Sequence, residues 1–475
     1  MTDLIKSTLR ALAGQLPGRT SSPGDERYDA ATAIWAKPVG PMPRMVVHCR
    51  AVPDIQLAIA AAGAAGLSLS VRGGGHDWAG RALCDGITLD LGGMREVHIS
   101  ADRHSARISG GARAADVLAA TDPLGLAAVT GSCSAVGMAG LTLGGGYGPL
   151  IGRFGLALDN LISADIVLAD GRVVTAEQGR EEDLFWALRG GGGNFGVVAE
   201  MRIRLHELTH VVSGMLIYPF AEAKAVLQHF ADIAPAMPDE LTVQIGGAAG
   251  PDGAPVILLV PTWSGRQGDG DAAIAPLLKL GTLLDNSVDA VRYGASLSIF
   301  DPHIVNGLRT FMETCSLPAF DRDGAEIMVE AMAKAASAGC AIFTHEFRGA
   351  ASRVPVEATA FGLRRDHVLI EILASLPDRS DSLDERRHQH WARDTRRSFE
   401  PIAFAGGYPN LLARDDADRA AESFGPNTER LLAVKRRYDP ANLFRSALPL
   451  PPDRNAPAIV PSASSRRQTR SAAPN

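Results

Sequence analysis

The sequence predicts an α+β protein: a glycine-rich first region of short strands and helices, then a region where helices cover one face of an antiparallel sheet. Three observations lead there. Apolar periodicity switches between two and 3.6 residues over short stretches, without the regular strand–helix repeat of a doubly wound sheet. Glycine makes up 50 of 475 residues, and its dense clusters lie between Gly73 and Gly196. From about Thr209 those clusters stop and longer strand and helix patterns begin.

Residues 54–66 form an amphipathic helix with Ile55, Ile59 and Ala62 on one face. Residues 68–72 read as a strand running into Gly73-Gly74-Gly75. Strand alternation marks 86–91 and 104–109, and residues 114–121 read as a helix. Residues 162–169 and 172–175 flank Asp170-Gly171, a pair that suits a type I′ hairpin turn. Residues 181–189 make a short helix with acids at its start and Arg189 at its end, as the helix dipole favours. A strand at 197–205 follows the run Gly190 to Gly193. Beyond Thr209, strands are expected at 211–218, 241–245, 256–262 and 340–348, and helices at 221–234, 271–280, 323–338 and 382–399. Residues 405–444 combine turns with a C-terminal helix.

Bulk properties narrow the function. The length allows two or three domains, and 46% hydrophobic with 21% charged residues is the balance of a globular protein. A net charge of −6 gives no reason to expect nucleic acid or an anionic membrane as partner. Five irregularly spaced cysteines offer no zinc pattern or disulfide framework. The start Met1-Thr2-Asp3-Leu4-Ile5-Lys6 lacks the pattern of a secretory signal, and no uncharged apolar run reaches membrane-spanning length, so a cytoplasmic location is expected. Residues 451–475, rich in Pro, Ser, Ala and Arg, read as a disordered tail.

Two glycine-led loops carry nucleophiles: Arg72-Gly73-Gly74-Gly75-His76-Asp77 and Gly131-Ser132-Cys133-Ser134-Ala135-Val136-Gly137. Without Cβ atoms, three consecutive glycines let a bulky anion lie against backbone N–H groups. Alone, such a run is ordinarily a turn, and a lone cysteine a small buried hydrophobe. The combination with further clusters at Gly140 to Gly148 and Gly190 to Gly196 points instead to an extended ligand. A flavin dinucleotide meets the demand for a phosphate-bearing cofactor that can be tethered. Gly191 to Gly196 satisfies G-x-G-x-x-G in form, but a helix precedes it and a strand follows, the reverse of the nicotinamide fingerprint. No phosphate loop of the G-x-x-x-x-G-K-[ST] type is present, which counts against nucleotide hydrolysis.

Several ordered motifs resemble the berberine bridge enzyme-like branch of the vanillyl-alcohol oxidase family. They are Arg72-Gly-Gly-Gly-His76, Gly131-x-Cys133, Gly140-Leu-Thr-Leu-Gly-Gly-Gly146, Asp159-Asn-Leu161, Asp183-Leu-Phe-Trp-Ala-Leu-Arg-Gly-Gly-Gly-Gly-Asn194-Phe-Gly-Val197 and Tyr438-Asp-Pro-x-Asn442-x-Phe444. The resemblance implies a two-part FAD-binding domain (residues 1–208 and a returning segment, 401–450) with an inserted α/β substrate domain at 209–400. It implies FAD bound covalently through His76 (8α-histidyl) and Cys133 (6-S-cysteinyl). The flavin surroundings would include Arg72, Gly73, Gly74, Gly75, Asp77, Val136, Gly137, Gly140, Gly144, Gly145, Gly146, Asn194, Gly196, Val197, Tyr408 and Asn410. Val136 matches the position that gates oxygen, and a small residue there is similar to members that use O2. Tyr408 resembles a family catalytic base, with Tyr147 as a second pocket tyrosine. Leu411, where a second aromatic is usual, and Ser446-Ala447-Leu448 depart from the pattern and imply a different substrate pocket.

The expected reaction is oxidation of an alcohol, or a similar C–H/O–H centre, of a sugar or secondary metabolite. Hydride would pass to flavin N5 and O2 would accept the electrons, giving H2O2. A flavin dehydrogenase with another acceptor, or a flavin-binding protein without turnover, are the alternatives. A tyrosine of pKa ~10 needs nearby donors or positive charge to act as a base. No metal is expected, and Arg364-Arg365 reads as a solvated face.

Overall fold

The computed structural model describes residues 2–37, 40–376, 380–413 and 416–452. The tail expected at 451–475 lies, from residue 453 on, outside them. Among the described residues the strands form a small mixed sheet, a five-stranded antiparallel sheet, a nine-stranded antiparallel sheet and one isolated strand pair.

In the first sheet Met45–His48, Ile87–Asp90 and Leu69–Arg72 pair in parallel, with Thr20–Ser21 antiparallel at the edge. Parallel neighbours need a crossover, and helix Val52–Ala65 supplies it between Met45–His48 and Leu69–Arg72. Its expected face, Ile55, Ile59 and Ala62, is buried together with Leu12 of helix Thr2–Gln15. Gly66 ends the helix in the left-handed region (φ 61°), its N–H returning to the Ala62 carbonyl. Leu69–Arg72 then delivers the triple-glycine loop. Met45–His48 is too short to show alternation and was not legible in the sequence.

The second sheet has the order Val97–Ile99, Ser105–Ser109, Val197–Arg204, Leu161–Val167, Val173–Glu177. The hairpin expected around Asp170-Gly171 forms, but not as a type I′ turn. Gly171 has positive φ (82°) and Asp170 does not. Gly171 N–H bonds the Leu168 carbonyl and Leu168 N–H bonds Arg172, which makes a three-residue connection closed by one left-handed glycine.

The third sheet runs Asp285–Asn286, Leu216–Pro219, Pro255–Trp263, Leu241–Ala249, Cys340–Phe347, His367–Leu376, Arg309–Leu317. Val211–Ser213 and Asp289–Val291 add to its side. Helices Ala223–Ile233, Arg322–Ala333 and Ser382–Phe399 bury one face through Phe230, Met328, Trp391 and Phe399. Because strand side chains alternate, Ile370, Ile372 and Ala374 enter this core while Leu369, Glu371, Leu373 and Ser375 face a cavity on the other side.

Three expectations need correction. The strand at 211–218 is two strands, because Gly214 passes so close to Ser287 that a Cβ would lie 2.3 Å from its carbonyl oxygen. The helix at 271–280 is only Gly270–Ile274 plus a 3₁₀ turn, Leu277–Lys279, with the helix-breaking Pro276 between them. The strands Arg309–Leu317 and His367–Leu376, not expected from sequence, pair along their whole length.

The C-terminal segment returns to the first two sheets through a buried lysine. Lys435 Nζ donates to Asp439 Oδ2 (2.6 Å), the Asn194 carbonyl (2.7 Å) and the Phe444 carbonyl (3.0 Å). Asp439 also accepts the backbone N–H groups of Leu443 and Phe444. Asn194 Nδ2 reaches the Leu448 carbonyl (3.0 Å), so the tetraglycine loop and the returning chain are one unit. Asp439→Ala should therefore cost about 3–5 kcal/mol, the usual effect of stranding a buried charge. Thermal unfolding measures this, and a midpoint unchanged from wild type would contradict the assignment.

Candidate active site

The loops of His76 and Cys133 meet backbone to backbone. A Cβ on Gly74 would sit 2.4 Å from the Gly137 nitrogen, and one on Gly137 would sit 2.4 Å from the Gly74 nitrogen. Neither position accepts a side chain. The contact brings both nucleophiles to one cavity of about 940 Å³, lined also by Val136, Tyr147, Tyr408 and Asn410. Trp35 stacks on the His76 ring (centroids 5.1 Å, 23°), and its backbone N–H donates to the Gly75 carbonyl. Asp77 holds the loop by accepting the N–H groups of Ala79 and Ala82. Ser134, next to Cys133, donates its hydroxyl to Asp301 of the 3₁₀ segment Ser298–His303.

The two nucleophiles differ electrostatically. Burial lowers the pKa of His76, outweighing the opposite pull of Glu371 and Asp77. Its imidazole is therefore neutral, with a lone pair available. Burial also raises the Cys133 thiol to about 12, against the backbone N–H groups of Ala135 and Val136, so it is protonated near neutral pH.

Tyr408 and Tyr147 lie side by side, ring centroids 4.4 Å apart. The Tyr408 hydroxyl accepts Gly146 N–H (2.8 Å) and Asn410 Nδ2 (2.9 Å). These are the donors the sequence reading required, yet burial outweighs them and pushes Tyr408 up to about 12. Gly145 makes room for the ring: a Cβ there would meet Tyr408 at 2.6 Å. Tyr147 bonds His367 Nε2 (2.6 Å) through its hydroxyl, and His367 Nδ1 lies 2.7 Å from the Arg365 carbonyl. Nδ1 must carry the proton facing a carbonyl, so Nε2 accepts from Tyr147. Burial, with a smaller contribution from the Arg365 charge, takes His367 down to about 4 and keeps it neutral.

Opposite the loops, the third sheet presents Glu371, whose Oε2 lies 3.1 Å from His345 Nε2. Its charge acts on His76, Cys133 and Tyr408 alike. Sequence reading missed both residues. The signal was present only as alternation in His-Val-Leu-Ile-Glu-Ile-Leu, which places Glu371 opposite the Ile370 and Ile372 face.

Of the expected flavin neighbours, Gly73, Gly74, Gly75, His76, Asp77, Cys133, Val136, Gly137, Gly140, Gly196, Val197, Tyr408 and Asn410 line the cavity. Arg72, Gly144, Gly145, Gly146 and Asn194 stand behind its wall. Arg72 is buried on Asp90 (2.8 Å), with its guanidinium packed under Gly75. Arg364 is not on a solvated face, because Asp159 grips it with two hydrogen bonds (2.7 and 2.9 Å) and its side chain is 1% exposed. Arg365 is exposed and lies over the Phe404 ring.

Comparison with known proteins identifies the family. The FAD binding domain family matches residues 43–177, and the berberine and berberine-like family matches 407–451. (R)-6-hydroxynicotine oxidase of Paenarthrobacter nicotinovorans is 30% identical over 92% of this chain and 97% of its own. The chain belongs to the berberine bridge enzyme-like FAD-linked oxidoreductases. The FAD-linked oxidoreductase aurO of Gibberella zeae is 29% identical over 88% of this chain and 82% of its own. Among solved structures, 6-hydroxy-D-nicotine oxidase from Arthrobacter nicotinovorans superposes with a TM-score of 0.81 at 28% identity, covering 91% of this chain and 97% of that one. A chitooligosaccharide oxidase shares the fold at a TM-score of 0.81 and 22% identity, covering 95% of this chain and all of its own.

FAD fits the residues present. Gly73, Gly140 and Gly193 line the cavity with ordinary or open space where a Cβ would stand, a cradle that side chains would fill, and Trp78 Nε1, also in the lining, is buried without a partner among the described residues.

The neutral state of His367 has a pH consequence. Its folded pKa, about 4, lies below that of an unfolded histidine, so the unfolded chain binds an extra proton between about pH 6.5 and 4. Stability contributed by this group is fully present above pH 6.5 and lost as pH falls to 4, by about 3 kcal/mol. Denaturant unfolding of wild type and His367→Phe should show the flatter acid limb in the variant. Parallel limbs would mean that His367 is not held neutral.

Proposed function

We propose that this FAD-linked oxidoreductase is an oxidase with a bicovalently held flavin, acting on an alcohol or a comparable C–H/N–H centre. The observation that carries the proposal is the Gly74–Gly137 contact, which brings His76 and Cys133 to the same cavity wall. The neutral His76 supports a histidyl tether by offering a ring-nitrogen lone pair. The Cys133 thiol, protonated near neutral pH, must give its proton to a base for the second tether.

FAD, when bound, would supply the electron chemistry, as acceptor of a hydride equivalent from substrate carbon and donor of two electrons to O2 to give H2O2. The chain supplies position and a proton acceptor. Glu371 is our candidate for that acceptor, since its partner is a histidine and it faces the tether residues. Tyr408, held up to about 12, serves as an orienting donor whose hydroxyl is fixed by Gly146 and Asn410. Small Val136 on the cavity wall supports access for O2. The sheet of residues 209–400 forms the substrate side, and the returning segment 401–450 closes the cofactor side.

Acid precipitation of the purified protein should leave yellow colour in the pellet. His76→Ala and Cys133→Ala should each retain covalent flavin, and the double variant should lose it; colour that washes out of wild type would refute the tethers. Glu371→Gln should lower kcat about 10²–10⁴-fold with the flavin still attached, and an unchanged rate would exclude it as the proton acceptor. Reduced enzyme mixed with air should reoxidise within seconds, whereas reoxidation over many minutes would make the protein a dehydrogenase.

A further inference from the structure

Among the described residues, three carboxylate or guanidinium side chains line the cavity: Asp77, Arg81 and Glu371. Asp77 is engaged by two backbone N–H groups, one on each carboxylate oxygen. Arg81 donates to the carbonyls of Pro409, Asn410 and Leu412. Glu371 is thus the charge turned toward a substrate, and among the described lining residues there is no lysine and no arginine besides Arg81 to receive an anion. The sheet wall around Glu371 is largely apolar, with Ile217, Leu258, Met312, Phe343, Leu369 and Leu373, and its amide and imidazole are Gln244 and the His345 that already meets Glu371. Phe300 packs edge-on to Phe343 (5.7 Å, 76°) and closes that side. The wall's two hydroxyls, Thr310 and Ser375, bond each other at 2.9 Å.

We infer that the substrate is an apolar, ring-sized molecule offering one N–H or O–H donor to Glu371, and that saccharides and carboxylate-bearing compounds are rejected. This rests on the flavin-oxidase reading of the cavity. A sugar ring carries several hydroxyls, and each one buried against this wall without a partner costs about 1–3 kcal/mol. A carboxylate would meet Glu371, while the guanidinium of the lining, Arg81, is already held by three backbone carbonyls. An apolar ring gains from burial on the same surface, and a protonated amine gains further from the carboxylate.

Binding to the holoenzyme is read anaerobically from the shift of the visible flavin spectrum. The probes are 1,2,3,4-tetrahydroisoquinoline, 4-methylbenzyl alcohol, 4-(hydroxymethyl)benzoate and cellobiose. Tetrahydroisoquinoline or 4-methylbenzyl alcohol should bind at least tenfold more tightly than 4-(hydroxymethyl)benzoate, with cellobiose silent; which of the two is preferred separates amine from alcohol substrates. Leu258→Gln should weaken the preferred probe by roughly tenfold. Glu371→Gln should weaken the amine more than the alcohol. The intact flavin spectrum verifies that each variant is folded. Cellobiose or the benzoate binding as well as the apolar probes, or no apolar probe binding at all, would overturn the inference. Reoxidation of dithionite-reduced enzyme needs no substrate, so slow reoxidation with tight apolar binding would sink the oxidase reading and leave this one standing.

Discussion

The contact between Gly74 and Gly137 is the constraint on which the site depends. Two loops from different parts of the chain touch through atoms that any Cβ would displace. One loop extends a strand of the small mixed sheet, and the other precedes helix Met138–Gly144. Their approach makes a single wall from two nucleophiles over fifty residues apart. Trp35 on His76 and Asp301 on Ser134 then fix the two loops from outside.

The opposite wall follows a different rule. A sheet with one face sealed by helices must send every second residue to the other side, whatever chemistry that side needs. Ile370 and Ile372 in the helix-facing core oblige Glu371 to look into the cavity. The carboxylate is tolerated there because His345 on the neighbouring strand meets it. Behind the cofactor wall, buried polar groups are likewise matched. Arg364 is paired with Asp159, and Lys435 with Asp439 and two carbonyls.

Much of the first two sheets was legible in the sequence, since helix Val52–Ala65, strand Leu69–Arg72 and the hairpin around Gly171 carry local signals. The turn type was misread because Asp-Gly suits two hairpin classes, and the register of the flanking strands selects between them. Arg364 was misread as solvated because its partner, Asp159, lies 205 residues away. Strand His367–Leu376 was missed for a related reason: its nearly continuous apolar run does not declare a strand until neighbours pair with it.

The sequence by itself determined the cofactor class and the family. Both are written in glycine spacing, in nucleophiles beside glycine loops and in ordered motifs, all of which are local. Only the tertiary structure decided the substrate side. Whether a residue such as Glu371 faces solvent, core or cavity depends on which sheet face the helices cover, a property of the assembled layers.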